Sequence, residues 1–184
     1  AQFIELLSDP KILKLIPQKA FKIDEIMLKF NSFLNNPINV KDSPKSIWGV
    51  YELHKKELIG ICGLLTNNEK DRELAYRLRH KYWNNGYGSE IAKGLIDYSF
   101  ETLSLTKITA DVNVENTVSV KILEKYLVPY REFYNEKDKN SKSHFFYKYD
   151  KSMNLSYFQN SNLVLNIEKT SNDTYLKASK LESP

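Results

Sequence analysis

The sequence has few of the residues that several classes of protein require. Cys62 is the single cysteine among 184 residues, which excludes an intrachain disulfide and a thiolate metal cluster. No segment approaches the roughly 18 consecutive apolar residues of a membrane-spanning helix. Acidic residues interrupt the apolar pattern of residues 1–17, which predicts an amphipathic helix and not a signal peptide. We therefore expect a soluble, cytoplasmic protein with no membrane partner and no metal in its site.

The chain also has no large excess of charge of either sign. The chain carries 27 Lys and Arg against 23 Asp and Glu, a net charge of +4, and these charges are dispersed. Nucleic-acid-binding proteins usually carry a basic stripe, so we expect no nucleic-acid partner. The hydrophobic fraction of 41% is enough to fill a core. A chain of this length predicts one domain, or one domain with an appendage, present as a monomer or a homodimer.

Hydrophobic periodicity predicts an α/β fold with helices beside a mixed sheet. Apolar residues at helical spacing predict helices before Pro17 and at about Ile23–Leu34, Tyr87–Leu103 and Val118–Tyr126. Alternating residues predict strands at Ile47–Leu53, Leu58–Leu65, Glu73–Arg79, Lys107–Val114, Val128–Tyr134, His144–Tyr149 and Leu163–Ile167. Polar turns join the first three strands into an antiparallel meander. The helix between the third and fourth strands predicts a parallel crossover.

Residues 153–184 differ in composition from the rest of the chain. They are polar, apart from the alternating strand at Leu163–Ile167 and a predicted helical run that ends at Leu181. A disordered tail is one interpretation of this composition. Disorder does not explain the alternating strand, so both interpretations stay open.

The chemistry of the chain is concentrated in the segment from Tyr82 to Glu90, which follows a strand and opens a helix. Gly86 and Gly88 allow backbone N–H groups to approach an anion, and the helix start adds partial positive charge. A phosphate or pyrophosphate is the ligand that suits this arrangement. Two glycines also suit an ordinary tight turn. The segment lacks the lysine and hydroxyl residue of a P-loop and the three glycines of a dinucleotide motif.

In its context, this segment resembles the acyl-CoA-binding motif of the GNAT superfamily of N-acetyltransferases, Arg/Gln-x-x-Gly-x-Gly/Ala. The resemblance is closest to the branch that acetylates ribosomal-protein N-termini, and it covers most of residues 1–150. The strand residues 73–78 before the segment fit the family pattern, as do Asn116-Thr117-Val118-Ser119 and Leu123-Glu124-Lys125 after it. Three departures stand out. Trp83 replaces Arg or Gln, Asn84 replaces a common glycine, and Tyr126-Leu127-Val128 replaces Leu-Gly-Phe, which removes the glycine that ends the helix.

The resemblance implies a twisted, mostly antiparallel sheet of about six to seven strands, with a V-shaped splay between residues 73–79 and 107–114. It also implies acetyl-CoA as cosubstrate. Backbone groups of Leu78 and Arg79 would bind the pantetheine arm in the splay, as an added strand binds to a sheet edge. The pyrophosphate would be held by backbone amides at the helix start, namely those of Asn85, Gly86, Tyr87, Gly88 and Ser89.

The implied reaction is acetyl transfer to a primary amine, on a protein N-terminus or a small molecule, by direct attack on the thioester. An amine with a pKa of about 10 must first lose a proton, and Glu73 is the candidate base, acting directly or through water. Ser119 is the candidate donor to the departing thiolate, and Asn116 the candidate partner of a pantetheine amide. The alternatives are a strand-end acid for Glu73 and helix capping for the other two. A non-catalytic acyl-CoA-binding module that acts as a sensor is the alternative for the whole chain.

The order of the motifs along the chain is unusual for the family. A GNAT chain normally opens with a strand and a turn before a helix that ends like residues 5–10 here. Leu163–Ile167 resembles that opening strand, and residues 170–173 resemble the turn. We therefore expect residues 153–184 to supply the first strand, beside Ile47–Leu53, and to complete a single domain as in a circular permutation. The alternatives are the start of a second repeat and a tail.

Overall fold

A computed structural model describes residues 2–14, 16, 20–35, 40, 43–135, 142–150, 163–169 and 174–180. The chain forms two compact units, Ala1–Tyr149 and Asp150–Pro184, and each is described on its own. Within these ranges, none of the helices has the length and apolar character needed to cross a bilayer.

The first unit has the mixed α/β fold that the periodicity predicts. Its helices are α1 (Gln2–Ser8), α2 (Pro10–Leu13), α3 (Ile23–Asn35), α4 (Tyr87–Asp97) and α5 (Thr117–Glu124). Its strands are β1 (Lys45–Tyr51), β2 (Leu58–Thr66), β3 (Arg72–Leu78), β4 (Lys107–Asn113), β5 (Val128–Tyr134) and β6 (Lys142–Tyr149). A 3₁₀ turn at His80–Tyr82 precedes α4, and a π-helical turn at Tyr98–Thr102 follows it.

Polar side chains explain where two of these helices begin. The Asp9 carboxylate accepts a hydrogen bond of 2.8 Å from Lys11 N, and Pro10 occupies the first position of α2, where its missing N–H costs nothing. Asn116 Oδ1 accepts a bond of 3.2 Å from Ser119 N at the start of α5. The start of α4 differs, because Gly86 precedes it and supplies no capping side chain.

The six strands form one sheet in the order β1-β2-β3-β4-β6-β5, antiparallel except between β3 and β4. Along the fully described β3 and β4, a single register pair joins the two strands, Glu73 with Thr109. Hydrogen bonds strengthen this end, because the Thr109 hydroxyl accepts from Asn67 Nδ2 at 3.3 Å and donates to Arg72 O at 3.2 Å. The strands are paired at this end and separate beyond it, which confirms the predicted splay.

Each face of this sheet packs against different helices. The register pairs Leu74 with Leu64 and Tyr76 with Cys62, and these side chains pack in the main core with residues of α4 and α5. We call this side the α4 face. The alternate residues of β3 point to the other side, the α1 face, where Arg77 Nη1 donates to Leu6 O of α1 at 2.9 Å.

The second unit contains a β-hairpin. Strands β7 (Leu163–Lys169) and β8 (Thr174–Lys180) pair antiparallel, with Leu163 opposite Lys180. The predicted strand agrees with β7. The predicted helical run to Leu181 is wrong, because the backbone of residues 174–180 bonds across to β7 instead of within itself. The placement of Leu163–Ile167 beside β1 stays a prediction, and residues 153–162 lie outside the described ranges.

Candidate active site

A cavity of about 850 Å³ lies at the splay. Residues of both sheet faces line it: Glu73 and Arg77 belong to the α1 face, whereas Tyr76 and Ser119 lie on the α4 side. A cavity lined from both sides extends through the gap between β3 and β4. Its size is within the usual range for small-molecule and cofactor sites.

The turn that leads into α4 is held in left-handed conformations. Asn84 has a φ of 63° and Gly86 a φ of 82°, a region that glycine adopts without strain. The N–H groups of Ser89 and Glu90 both donate to Gly86 O, at 3.0 and 3.1 Å. The N–H groups of Tyr87 and Gly88 therefore stand at the open end of the helix, where the partial positive charge is greatest.

Gly88 has a packing role in addition to its place in this turn. A Cβ atom at this position would lie 3.1 Å from Ile122 Cδ1 and 3.5 Å from Tyr76 Cε2. The missing side chain therefore lets the start of α4 approach both α5 and β3. The five residues predicted to hold a pyrophosphate are brought together in one turn beside the splay.

Two polar side chains of this turn already have protein partners. Asn85 Nδ2 donates to Trp83 O at 3.0 Å. The Ser89 hydroxyl lies 2.8 Å from the Tyr126 hydroxyl. Sequence reasoning did not predict this contact, because it joins residues that are 37 positions apart.

The backbone of β3 reaches the gap at Leu78. Arg79 N donates to Ile59 O at 2.9 Å and so points toward β2. Because hydrogen-bonding direction alternates along an antiparallel strand, the N–H and C=O of Leu78 point toward β4. The Leu78 carbonyl accepts a bond of 3.0 Å from the indole Nε1 of Trp83. Because the carbonyl is bonded to Trp83, the Leu78 N–H is the backbone group of this residue that can bind a ligand in the gap.

The side chain of Arg79 anchors the end of β3. It is 7% exposed and bonds Glu5 at 2.8 Å, Glu57 at 2.7 Å and Leu58 O at 2.9 Å. Hydrogen bonds from Lys81, then from Arg79, lower the pKa of Glu57 to about 2. This network joins β3 to α1 and to the start of β2 next to the glycine turn. The role predicted for the Arg79 backbone in binding an acyl-CoA arm stays a prediction.

Glu73 lies on the α1 face at the narrow end of the gap, half-buried and opposite Thr109. Asp111, two residues farther along β4, lies on the same face and lines the same cavity. Sequence reasoning did not single out Asp111, although the alternation of β4 would have placed it beside the gap. Among the described side chains, no group of three His, Cys, Asp or Glu residues is arranged to hold a metal ion.

Ser119 and Asn116 lie at the start of α5, on the opposite side of the gap. The capping bond from Ser119 N uses Asn116 Oδ1, which leaves the Asn116 amide nitrogen and the Ser119 hydroxyl as groups for a ligand. The Tyr76 hydroxyl is buried and meets no described group at hydrogen-bonding geometry. Burial raises the pKa of Tyr76, and the nearby Ser119 hydroxyl partly offsets that rise. A buried hydroxyl without a protein partner is suited to bind a ligand.

Comparisons with known proteins identify relatives of this arrangement. The family model for the acetyltransferase (GNAT) domain matches residues 1–126. The uncharacterized N-acetyltransferase p20 of Bacillus licheniformis is 44% identical over 69 residues, which are 36% of this chain and 39% of that protein. The uncharacterized N-acetyltransferase YoaA of Bacillus subtilis is 35% identical over 80 residues, which are 42% and 45% of the two chains. The chain thus spans less than half the length of these two curated relatives.

Solved structures share the fold at low sequence identity. An acetyltransferase of the GNAT family from Bacillus anthracis matches with a TM-score of 0.68 and 23% identity, over 80% of this chain and 87% of that one. The spermidine N-acetyltransferase from Vibrio cholerae, in complex with CoA and spermine, matches with a TM-score of 0.66 and 22% identity, over 79% and 86%. Both likenesses concern the arrangement of helices and strands.

Proposed function

The chain belongs to the GNAT acetyltransferase family, and from this premise we propose that it is an acetyl-CoA-dependent N-acetyltransferase acting on a primary amine. One observation carries the proposal: a cavity passes through the gap between β3 and β4, with an open helix start beside it and a carboxylate at its narrow end. Such a passage suits a cosubstrate with an anionic end, a long polar arm and a reactive tip.

The residues around the gap fit this cosubstrate, which supplies the thioester. The backbone amides of Tyr87 and Gly88 bind the pyrophosphate, because they stand at the open end of α4, whereas that of Ser89 donates to Gly86 O within the turn. The Leu78 N–H and the Asn116 amide nitrogen donate to carbonyl groups of the arm. Gly86 is compatible with binding of the pyrophosphate, because its conformation keeps this turn open and glycine places no side chain above it.

Glu73 performs the proton transfer on the α1 side. An amine that attacks a thioester must be neutral, so a base has to accept its proton directly or through one water. The carboxylate of Glu73 stands where β3 and β4 begin to separate, on the face that the acceptor reaches. The nitrogen forms its bond to the acetyl carbon as the carbon–sulfur bond breaks.

Hydroxyl groups serve the leaving sulfur on the α4 side. The Ser119 hydroxyl donates a hydrogen bond to the thiolate. The Tyr76 hydroxyl adds a second donor, since it has no protein partner in the described structure. The proton acceptor and the hydrogen-bond donors thus act from opposite sides of the gap.

The acceptor is either a protein N-terminus or a small molecule. The resemblance of the segment from Tyr82 to Glu90 to the branch that acetylates ribosomal-protein N-termini favours a protein N-terminus. The Vibrio cholerae structure is titled a spermidine N-acetyltransferase, which makes polyamines a useful comparison in any panel of acceptors.

The experiment is a CoA-release assay with acetyl-CoA and a panel of primary amines and peptide N-termini. We expect turnover of at least one amine, together with saturable binding of acetyl-CoA in calorimetry. Binding of acetyl-CoA without turnover on any amine would favour the sensor, for which the loss of the family glycine after Lys125 is the sequence argument. Failure to bind acetyl-CoA would contradict both functions.

A further inference from the structure

Four cationic side chains of the described residues line the cavity, and one of them, Arg131, forms an ion pair with Glu69. The other three are Lys29 of α3, Lys45 of β1 and Arg77 of β3. The register places the latter two on the α1 face. Lys45 stands opposite Leu65, which stands opposite Glu73, and Arg77 follows Glu73 on the same side of β3. With strands spaced about 4.8 Å apart, the backbone of Lys45 lies about 10 Å from that of Glu73. Lys45 and Arg77 thus share a face with Glu73, the candidate base. A short molecule could span the distance between Lys45 and Glu73.

Lys29 and Arg77 both lie close enough to Lys45 for their charges to act on it. Burial, then the charges of Lys29 and Arg77, lower the pKa of Lys45. Burial lowers the pKa of Arg77 to about 10. The Lys29 ammonium is positioned by Phe21, whose ring centre lies 4.5 Å from it. A cluster of like charges on a cavity wall is stabilised when an anion binds between them.

The other charges of the cavity do not reverse this sign. Glu69 also lines it, and this carboxylate forms an ion pair with Arg131. Glu73 and Asp111 lie at the gap itself, where the amine would react. Among the described residues, the carboxylates of Glu73 and Asp111 thus line the cavity at the gap. The cations of Lys29, Lys45 and Arg77 line the same cavity.

We propose that the acceptor amine carries an anionic group, a carboxylate or a phosphate, that binds between Lys29, Lys45 and Arg77 while its nitrogen lies at Glu73. This inference rests on the proposed acetyl transfer. A guanidinium has five N–H donors, so Arg77 can hold Leu6 O and still bind an anionic oxygen. Charge-assisted hydrogen bonds of this kind are the strong ones, and a second ammonium group, as in a polyamine, would be repelled.

The test uses three amines of equal length that differ only at the far end: δ-aminovalerate, pentylamine and cadaverine. We expect kcat/KM to fall in that order, with at least about a tenfold difference between the carboxylate and the methyl end. Aminobutyl phosphate, as a fourth substrate, distinguishes a phosphate from a carboxylate preference. Cadaverine used as well as δ-aminovalerate would overturn the proposal.

Variants of Lys45 test the site itself. Lys45→Met should raise KM for δ-aminovalerate about tenfold more than it raises KM for pentylamine. Lys45→Glu should reverse the preference toward cadaverine. Lys93→Met is the matched control, because it removes a lysine that is paired with Asp97 on the exposed side of α4. An unchanged substrate ratio in Lys45→Glu would also overturn the proposal.

The two proposals fail in different ways. Turnover that favours cadaverine contradicts the anion site and leaves the acetyl transfer intact. If none of the amines is turned over, calorimetry on the CoA-bound protein decides. Binding of δ-aminovalerate but not cadaverine then supports the anion site while contradicting catalysis, and equal or absent binding of both contradicts the anion site.

Discussion

The two sides of the gap between β3 and β4 differ in chemical character. The α1 side presents ionisable groups, with carboxylates at Glu73 and Asp111 and cations at Lys45 and Arg77. The α4 side presents neutral groups: hydroxyls, an amide and the backbone N–H groups of a helix start. Both sides come from the same strands, since alternate residues of β3 face opposite ways.

This difference shows how one strand can separate two tasks. Charged groups can move a proton and select an acceptor by its charge, whereas neutral donors can hold a cosubstrate at any pH near neutrality. Each prediction below changes one side of the gap and measures the quantity that this side is expected to control.

The largest effect is expected on the α1 side. Glu73→Gln keeps the shape of the side chain but removes the proton acceptor, so kcat/KM for the amine should fall by about 100-fold or more. The affinity for acetyl-CoA, measured by calorimetry, should stay unchanged. Glu101→Gln, at an exposed position after α4, is the control. Full activity in Glu73→Gln would show that the α1 side only recognises the acceptor.

An intermediate effect is expected at the helix start on the α4 side. Gly86→Val forces a β-branched residue to a φ of 82°, which costs about 1–2 kcal/mol. We expect a lower Tm and a rise of about tenfold in the Kd of acetyl-CoA, since the turn must deform; calorimetry measures the latter.

Gly94→Ala is the matched control for this change. Gly94 lies inside α4, and a Cβ there would meet nothing within 4 Å. Alanine should therefore raise the stability by about 0.5–1 kcal/mol and leave the Kd unchanged. An unchanged Kd in Gly86→Val would contradict the role of this turn in binding the pyrophosphate.

The smallest effects are expected for the two hydroxyls. Ser119→Ala should lower kcat by about tenfold, and Tyr76→Phe by a smaller factor, with KM for acetyl-CoA little changed. Tyr76→Phe should not lower the Tm, because the hydroxyl it removes has no hydrogen-bond partner among the described residues.

The double variant sharpens this result. If both hydroxyls act on the same sulfur, their effects on kcat should not be additive. Unchanged kcat in all three variants would mean that Ser119 and Tyr76 serve only packing and helix capping.

Much of the site could be predicted because its signals are local. The glycines of the turn lie two positions apart, and the alternation of β3 places Glu73 at a strand end. Contacts between distant segments could not be predicted. The cationic cluster requires α3 to bring Lys29 to the cavity that Lys45 and Arg77 also line. The contact of Tyr126 with Ser89 depends on how α5 approaches α4.

In the fold, too, local patterns could be predicted and contacts between segments could not. The six strands of the first unit were predicted within a few residues, because each has its own alternating pattern. Residues 174–180 contain Leu, Lys and Ala, which favour helices, yet they form β8. The partner strand β7 decides this outcome, and a local pattern cannot reveal a partner.

The indole of Trp83 has a consequence for observing this protein. Trp83 joins the glycine turn to the Leu78 carbonyl at the gap, whereas Trp48, the other tryptophan, packs on Tyr98 with ring centres 5.9 Å apart. Replacing Trp48 with phenylalanine would leave one tryptophan, located between the two places where we propose that the cosubstrate binds. The protein thus carries a native fluorophore with which stopped-flow emission can time the arrival of acetyl-CoA, without any attached label.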